Sequence, residues 1–227
     1  DLIMNNEDLY IEQLLVGPMD NFIYIIGSQS TREVTIIDPA WEIDALLKHI
    51  YEKELKLTSV LITHYHPDHC GGSMGGHSIE GIAELISKEP VKIFINKHEA
   101  EGLKKVTGVS DVDINIVDSG DHLTIGENDI EFLHTPGHTP GSQCFKVNNN
   151  LVSGDTLFVQ GCGRVDLPGS NSEDMFHSLQ KLSELPEDTI LYPGHNYSPQ
   201  PYESLGKVKE INSYLNVKDL DMWKQIM

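Results

Sequence analysis

The sequence predicts an α/β protein with the four-layered αβ/βα sandwich architecture, in which two sheets pack face to face and helices cover their outer sides. Short β-rich runs alternate with helix-like segments along the chain, in two successive strand-then-helix halves. Histidines and aspartates cluster directly after apolar runs in both halves, as expected where strand ends from two sheets meet. We expect residues 1–227 to form a single domain, with 200–227 as a short C-terminal helical extension.

The first half of the chain predicts four strands and three helices. Residues 23–26 and 34–37 are rich in isoleucine and other β-branched residues, and Asp38-Pro39 closes the second run. Apolar residues recur at helical spacing between 42 and 54, which predicts an amphipathic helix. The remaining elements expected in this half are a buried strand at 60–62, a helix at 79–87, a strand at 91–95 and a short helix at 98–105.

The second half is mostly strands until its last third. Four β-type runs, separated by glycine and asparagine turns, predict strands at 114–117, 130–133, 144–147 and 151–152. The periodicity of the remaining segment predicts helices at 173–182 and 202–214, with a strand at 189–192 between them.

Composition excludes several classes of function. The formal net charge of −19 disfavours nucleic acid, because its phosphates select basic surfaces. Apolar runs fall well short of the roughly 20 residues that a membrane span needs, so we expect no membrane insertion. The three scattered cysteines are too few for a disulfide framework and favour a reducing, cytoplasmic location. We expect a small-molecule substrate as the partner and leave a homodimer open.

A set of seven histidines and aspartates fits one metal-binding pattern: His64, His66, Asp68, His69, His138, Asp155 and His195. Imidazole and carboxylate are ligands that borderline metals such as zinc and iron prefer. Four of the seven fall in the run T-H-Y-H-P-D-H, between an apolar β-type stretch and a glycine-rich segment. This placement predicts a loop leaving a strand, where several side chains can converge on one point. In an extended stretch His64 and His66 project to the same side.

The H-x-H-x-D-H signature, with the later loops T-P-G-H-T-P-G, S-G-D-T-L-F and Y-P-G-H-N-Y, resembles the metallo-β-lactamase-fold superfamily and its glyoxalase II-like branch. The resemblance covers nearly the whole chain, from Gly17 to Asn196. It implies two divalent metal ions, with zinc expected and iron or manganese as alternatives. The ligands it implies are His64, His66 and His138 for one ion, Asp68, His69 and His195 for the other, and Asp155 as the bridge.

The ligand set alone indicates hydrolytic chemistry. Two cations about 3.5–4 Å apart lower the pKa of a shared water to near 7, which generates a bridging hydroxide at neutral pH. One ion can also polarise a carbonyl oxygen. We assign the direct catalytic roles to the carboxylates of Asp68 and Asp155. The resemblance to the glyoxalase II-like branch implies that the bond hydrolysed is a thioester, such as a glutathione thioester, or that of a small ester.

Four further residues are candidates for substrate binding or ligand orientation. Arg164, in Gly161-Cys162-Gly163-Arg164, resembles the basic residue that helps hold the glutathionyl substrate in glyoxalase II and the persulfide dioxygenases. The alternative is a structural turn held by an ion pair between Arg164 and Asp166. Tyr65 and Tyr197 flank ligands and are candidates to line the pocket, with ordinary packing as the alternative. Asp38 resembles the strand-end aspartate of this superfamily, which implies that it orients ligand loops by hydrogen bonding, with an ordinary turn carboxylate before Pro39 as the alternative.

Two other functions stay open. The loop Arg164-Val165-Asp166 also resembles that of the persulfide dioxygenases, which act on glutathione persulfide. The resemblance implies a single iron there, held by the residues matching His64, His138 and Asp155, with coordination positions left for oxygen. A non-catalytic metal-binding module is the third alternative, and the complete ligand set disfavours it.

Overall fold

Two six-stranded mixed sheets form the centre of the fold in the computed structural model, which describes residues 6–227. In chain order the strands are β1 (Leu9–Val16), β2 (Asn21–Ser28), β3 (Glu33–Ile37), β4 (Lys56–Leu61), β5 (Gly72–Met74), β6 (His77–Ile79), β7 (Lys92–Asn96), β8 (Ile114–Val117), β9 (His122–Ile125), β10 (Asn128–His134), β11 (Gln143–Val147), β12 (Asn150–Gly154), β13 (Ile190–Pro193) and β14 (Glu203–Ser204). The α-helices are α1 (Ile43–Glu52), α2 (Pro67–Cys70), α3 (Ile82–Lys88), α4 (Ala100–Thr107), α5 (Ser172–Ser183), α6 (Leu205–Ile211) and α7 (Leu220–Ile226).

The order of the strands divides the chain into two halves. One sheet runs β1-β2-β3-β4-β7-β8 and the other β14-β13-β12-β11-β10-β9, while β5 and β6 form a separate hairpin. Strands β3, β4, β7 and β8 are parallel, as are β12 and β13, and the other neighbours are antiparallel. Each half therefore contributes one sheet, as the sequence predicts.

Three apolar clusters separate the four layers. Strand β2 is buried on both faces: Ile23 and Ile25 pack beneath α1, α3 and α4, whereas Phe22, Tyr24 and Ile26 pack toward the second sheet. The central cluster continues with residues of β10, β11 and β12, including Phe132, Phe145 and Val152. A third cluster joins the second sheet to α5, α6 and α7, and Trp223 is fully buried in it. The predicted α/β sandwich is confirmed.

Several elements depart from the sequence prediction. Strands β1, β9 and β14, the β5–β6 hairpin and the short helix α2 were not predicted, whereas helix α7 lies within the helical extension expected at 200–227. Helix α3 begins at Ile82 rather than at 79, because the preceding residues pair as β6. The helix predicted at 202–214 begins only at Leu205, where the Ser204 side chain accepts a hydrogen bond from the Lys207 amide, and a short 3-10 helix replaces its end. Among the described residues, no helix is long and apolar enough to cross a bilayer.

Candidate metal centre

All seven predicted ligands lie at one edge of the two sheets. His64, His66, Asp68 and His69 follow β4 in the first sheet. In the second sheet His138 follows β10, Asp155 follows β12 and His195 follows β13. Adjacent parallel strands end at the same edge of a sheet, so β12 and β13 bring Asp155 and His195 together. A main-chain bridge between Asn21 and His195 then joins this edge of the second sheet to the start of β2.

The first group of donor atoms contains three imidazoles. One nitrogen from each of His64, His66 and His138 lies within 4.8 Å of the other two. His66 Nδ1 and His138 Nε2 are 3.0 Å apart. His64 Nε2 is buried and has no hydrogen-bond partner among the described residues. A buried nitrogen without a partner is costly unless something else binds its lone pair, so this group fits a metal ion.

The second group combines a carboxylate with two imidazoles. Donor atoms of Asp68, His69 and His195 also lie within 4.8 Å of one another, and all three residues are buried. The Nε2 atoms of His69 and His195 are 3.2 Å apart. Asp68 Oδ2 lies 3.2 Å from His69 Nε2 and 3.4 Å from His195 Nε2. These atoms are of the kind that zinc, iron and manganese bind.

Asp155 lies between the two groups. Its Oδ2 is 3.5 Å from His138 Nε2 on one side and 3.2 Å from His195 Nε2 on the other. Its Oδ1 is 3.2 Å from His69 Nε2, but the angles at these atoms do not form a hydrogen bond. The carboxylate therefore faces both groups, which is the placement that the predicted bridging role requires.

In four of the histidines, the ring nitrogen that faces away from the centre lies beside an oxygen atom. For His138 and His195 this oxygen belongs to a main-chain carbonyl. His138 Nδ1 lies 2.8 Å from the carbonyl oxygen of Arg164, and His195 Nδ1 lies 2.9 Å from that of Met19. A carbonyl oxygen can only accept, so both Nδ1 atoms carry the proton. The Nε2 atoms then face the centre, as in most metal-binding histidines.

Asp38 orients ligands of both groups. Its Oδ2 accepts a hydrogen bond from Thr63 Oγ1 at 2.6 Å and lies 3.0 Å from His69 Nδ1. Because Thr63 Oγ1 donates to Asp38, it accepts from His64 Nδ1, at 2.9 Å. Asp38 thus reaches His69 directly and His64 through one hydroxyl. This is the geometry expected for the orienting role that the sequence assigns to it.

Sequence reasoning missed Asn21, a buried amide that contacts the second group. Its Nδ2 donates to Asp68 Oδ2 at 2.9 Å. The Trp41 indole N–H donates to Asn21 Oδ1 at 3.1 Å, and this fixes which end of the amide faces Asp68. Trp41 is in the left-handed region with φ 76°, and its ring packs against Gly17, where any Cβ would clash. The link joins residues 20 positions apart and leaves no periodic signal in the sequence.

Glu99 is a second residue that the sequence did not reveal. It is fully buried, and each of its oxygens accepts one main-chain hydrogen bond, from Tyr65 N at 2.8 Å and from Gly141 N at 2.7 Å. Tyr65 lies between two ligands of the first sheet, and Gly141 follows His138. Burial is the main influence on this carboxyl group and raises its pKa to about 7, against the hydrogen bonds that lower it. Glu99 therefore joins the two ligand loops behind the centre.

The electrostatics of the two groups differ. Burial holds the pKa of His64 well below its usual range and lowers that of His66 to about 4, so both rings are neutral at pH 7. Burial opposes a charge on His69 and His195 as well. The neighbouring carboxylates outweigh it there, holding the pKa of His69 well above its usual range and raising that of His195 to about 9. In the metal-free protein, protonated His69 and His195 therefore supply the positive charge that offsets the carboxylates of the second group. A bound cation would supply that charge instead.

A cavity of about 970 Å³ opens over the centre. Its floor contains His66, Asp68, His138, Asp155 and His195, and its rim includes the loop from Gly161 to Pro168. Cys162 lies in this rim, and burial raises its pKa to about 12, which excludes a thiolate nucleophile at neutral pH.

The predicted substrate-binding residues have different locations. Tyr197 lines the cavity, with its ring stacked on His195 at a centroid distance of 4.5 Å. Arg164 also lines the cavity, but its guanidinium makes two hydrogen bonds of 2.9 Å to the Asp166 carboxylate, which is the alternative that the sequence left open. Tyr65 is not among the described residues that line the cavity. It packs with the first-sheet core and against Gly102, so its predicted contact with substrate has no support in this geometry.

Comparison with known proteins agrees with this architecture. BaeB of Bacillus velezensis, described as a probable polyketide biosynthesis zinc-dependent hydrolase, is 29% identical and matches 87% of this chain and 83% of its own length. A hydroxyacylglutathione hydrolase of Haemophilus ducreyi is 36% identical over 79% of this chain and 67% of its own length. The crystal structure of ETHE1 from Myxococcus xanthus superposes with a TM-score of 0.78 and 29% identity, covering 96% of this chain and 89% of that one.

The family profile gives the same result. The profile of the Metallo-beta-lactamase superfamily matches residues 16–195, a range that begins at the end of β1 and includes all seven residues of the centre. The fold, the strand-end position of the seven side chains and these similarities lead to one conclusion. The chain belongs to the metallo-beta-lactamase superfamily.

Proposed function

We propose that this protein is a dinuclear metal-dependent hydrolase that cleaves thioester or ester bonds. The observation that carries the proposal is the position of Asp155 between two complete groups of donor atoms, 3.5 Å from His138 Nε2 and 3.2 Å from His195 Nε2. Two ions would use both groups, whereas a single ion would leave one group without a metal. Asp68, His69 and His195 form the second group, and their donor atoms lie within 4.8 Å of one another.

The residues of the centre fit two divalent ions, with zinc as the expected metal. His64, His66 and His138 would hold one, Asp68, His69 and His195 the other, and Asp155 would contact both. When bound, such ions supply Lewis-acid polarisation of a carbonyl and lower the pKa of water enough to provide a nucleophile near neutral pH. Asp38 and Asn21 keep the ligands in position.

The relatives support hydrolysis. Two matches are described as probable polyketide biosynthesis zinc-dependent hydrolases, and several others as hydroxyacylglutathione hydrolases. The chain spans about two thirds of the length of the latter. A glutathione thioester therefore remains a candidate substrate within the proposed class.

Structural similarity to ETHE1 favours a second candidate, the mononuclear iron persulfide dioxygenase. His64, His138 and Asp155 would then hold a single iron, with Asp155 Oδ2 lying 3.9 Å from His64 Nε2 and 3.5 Å from His138 Nε2. This candidate leaves the second group without a role.

Metal analysis of anaerobically purified protein, followed by two assays on the same sample, separates the candidates. We expect about two ions per chain and release of free thiol from a thioester, with no oxygen uptake on glutathione persulfide. One iron per chain together with oxygen uptake would instead establish the dioxygenase. The His195→Ala variant sharpens the comparison, because it removes a ligand of the second group alone and should abolish only the dinuclear activity.

A further inference from the structure

The wall of the cavity is unlike its floor. Beyond the candidate ligands, the described lining is dominated by apolar and aromatic side chains from separate parts of the chain, among them Met19, Met74, Phe158, Leu167 and Tyr197. Met19 precedes β2, Met74 belongs to the β5–β6 hairpin, and Phe158 and Leu167 belong to the segment after β12. Methionine side chains are flexible and polarisable, so they suit an apolar guest of variable shape.

Among the described residues, this wall has no basic side chain that lacks an acidic partner. Arg164 is the single lysine or arginine among the described residues that line it, and both oxygens of Asp166 pair with its guanidinium. The two charges cancel, so the wall outside the metal centre is neutral. The chain as a whole carries a formal charge of −19, which repels anions during approach.

We propose that the cavity selects an uncharged ester or thioester with an apolar acyl chain, rather than one built on an anionic thiol such as glutathione. The proposal rests on the hydrolase function given above and names its substrate class. The volume of about 970 Å³ accommodates a drug-sized guest, so the acyl chain can extend along Met74 and Leu167 while the carbonyl reaches the floor. Each added methylene buried on this wall should raise kcat/KM about threefold to fourfold.

Two matched series of thioesters test the proposal. One series carries acetyl, butyryl, hexanoyl and octanoyl groups on N-acetylcysteamine, which is neutral, and the other carries the same groups on glutathione, which bears two carboxylates and one ammonium. We expect kcat/KM to rise with chain length in the neutral series and to exceed that of the matching glutathione ester at least tenfold. A preference for glutathione esters, or rates independent of chain length, would overturn the proposal.

Variants locate the selectivity within the cavity. Met74→Ser should flatten the dependence on chain length, whereas the same change at Met222, which is 55% exposed on α7 outside the cavity, should leave it unchanged. Asp166→Asn should free Arg164 to pair with a glutathione carboxylate. That variant should raise kcat/KM on the glutathione esters about tenfold and leave the neutral series unaffected. An equal effect of Met74→Ser and Met222→Ser would count against the cavity as the acyl site.

A binding measurement separates this proposal from the hydrolase function. S-octyl-N-acetylcysteamine, a thioether that cannot be hydrolysed, should bind the intact protein with a negative heat-capacity change, and S-octylglutathione should bind at least tenfold more weakly. Binding in this order without turnover of any thioester or of the matching esters would refute the hydrolase while supporting the apolar site. Failure of the neutral thioether to bind would refute the site, whatever the protein hydrolyses.

Discussion

At the scale of single residues, hydrogen bonds orient most of the candidate ligands of the centre in the metal-free protein. Four of the five histidines have an outer nitrogen beside an oxygen atom, contributed by Thr63, Asp38, Arg164 or Met19. The amide of Asn21 does the same for the Asp68 carboxylate. Such contacts set the direction of lone pairs, and their loss usually reduces metal affinity by about 10- to 100-fold.

Replacing Asn21 by alanine should weaken the ion held by Asp68, because the carboxylate loses its buried donor. We expect the affinity of the second metal site to fall by about 10- to 100-fold, with little change at the first site. Competition with a chromophoric chelator measures both affinities. Trp41→Phe is the matched control: it removes only the N–H that orients the Asn21 amide and should give a smaller loss at the same site. Equal losses at both sites in Asn21→Ala would show that the residue acts on the fold rather than on Asp68.

Asp155→Asn should lower kcat far more than it raises KM. An amide is neutral and a poorer bridge than the carboxylate, so transition-state stabilisation suffers most, and such a loss is expressed in kcat. Steady-state kinetics on a thioester, with metal content measured on the same preparation, tests the prediction. Wild-type metal content and turnover in Asp155→Asn would show that the carboxylate is not shared between ions.

At the scale of elements, the ligand loops are supported from behind by the start of α4. Glu99 directly precedes this helix and accepts main-chain hydrogen bonds from both the β4 loop, at Tyr65, and the loop that carries His138, at Gly141. One carboxylate thus sets the separation between loops from different sheets. Because Glu99 is buried, its ionisation is coupled to the stability of the whole arrangement.

Glu99→Gln should remove a contribution to the free energy of unfolding that decreases as the pH rises. Most carboxylates in folded proteins make a contribution of the opposite sign, which decreases as the pH falls. The folded pKa of Glu99, about 7, lies above its ordinary value of 4.5, so the folded protein takes up a proton between these values. Its contribution to the free energy of unfolding is therefore fully present below pH 4.5 and is lost as the pH rises through 7, by about 2–4 kcal/mol.

Denaturant unfolding of both proteins at intervals from pH 4.5 to 8 measures this contribution as a difference. The wild type should lose stability relative to Glu99→Gln as the pH rises, and the difference should level off above pH 7. A constant offset of about 1–3 kcal/mol is also expected, because one main-chain N–H would face the new amide nitrogen. A difference that stays constant across the whole range would contradict the raised pKa.

The sequence predicted the central strands and the grouping of the candidate ligands better than the edges of the fold. Residues of β2 and β3 form continuous apolar β-branched runs, whereas Glu12 and Gln13 interrupt the edge strand β1. The β5–β6 hairpin was not predicted, because each of its strands has only three residues and the turn between them consists of two glycines. The seven ligands carry their own spacing signature. Asn21 and Glu99 carry none, since their roles arise only from contacts with distant parts of the chain.

At the scale of the whole molecule, each candidate metal group draws donor atoms from both sheets. The first combines His64 and His66 from the first sheet with His138 from the second. The second combines Asp68 and His69 from the first sheet with His195 from the second. Bound ions would therefore connect the two halves of the sandwich at one edge.

Removal of metal should lower the melting temperature of the whole protein. An ion present at about 100 times its dissociation constant stabilises the folded state by about 2.7 kcal/mol, which corresponds to a shift of about 5–10 °C for a chain of this size. Calorimetric scans with and without chelator measure the shift, and restored zinc should reverse it. Unchanged melting after verified metal loss would show that the ions do not connect the sheets.

Metal binding should also release protons and weaken as the pH falls. In the metal-free protein the carboxylates raise the pKa of His195 to about 9 and hold that of His69 well above its usual range, despite burial, so both carry protons at pH 7. An ion must displace these protons to reach the two rings. Titration calorimetry at pH 7 in buffers of different ionisation enthalpy counts them, and a heat of binding independent of the buffer would contradict the prediction.

The shared role of Asp38 has a consequence for how this protein can diverge. Its carboxylate supports His69 directly and His64 through Thr63, so a change at this position alters both ion sites together. His66 and His195 each belong to a single donor group, so replacing either one should weaken one ion site and leave the other group intact. A lineage that binds two ions would therefore need a single step, at His66 or His195, to pass to one-ion chemistry. A change at Asp38 would instead weaken both sites together, which makes this aspartate an epistatic constraint on any descendant that still binds metal.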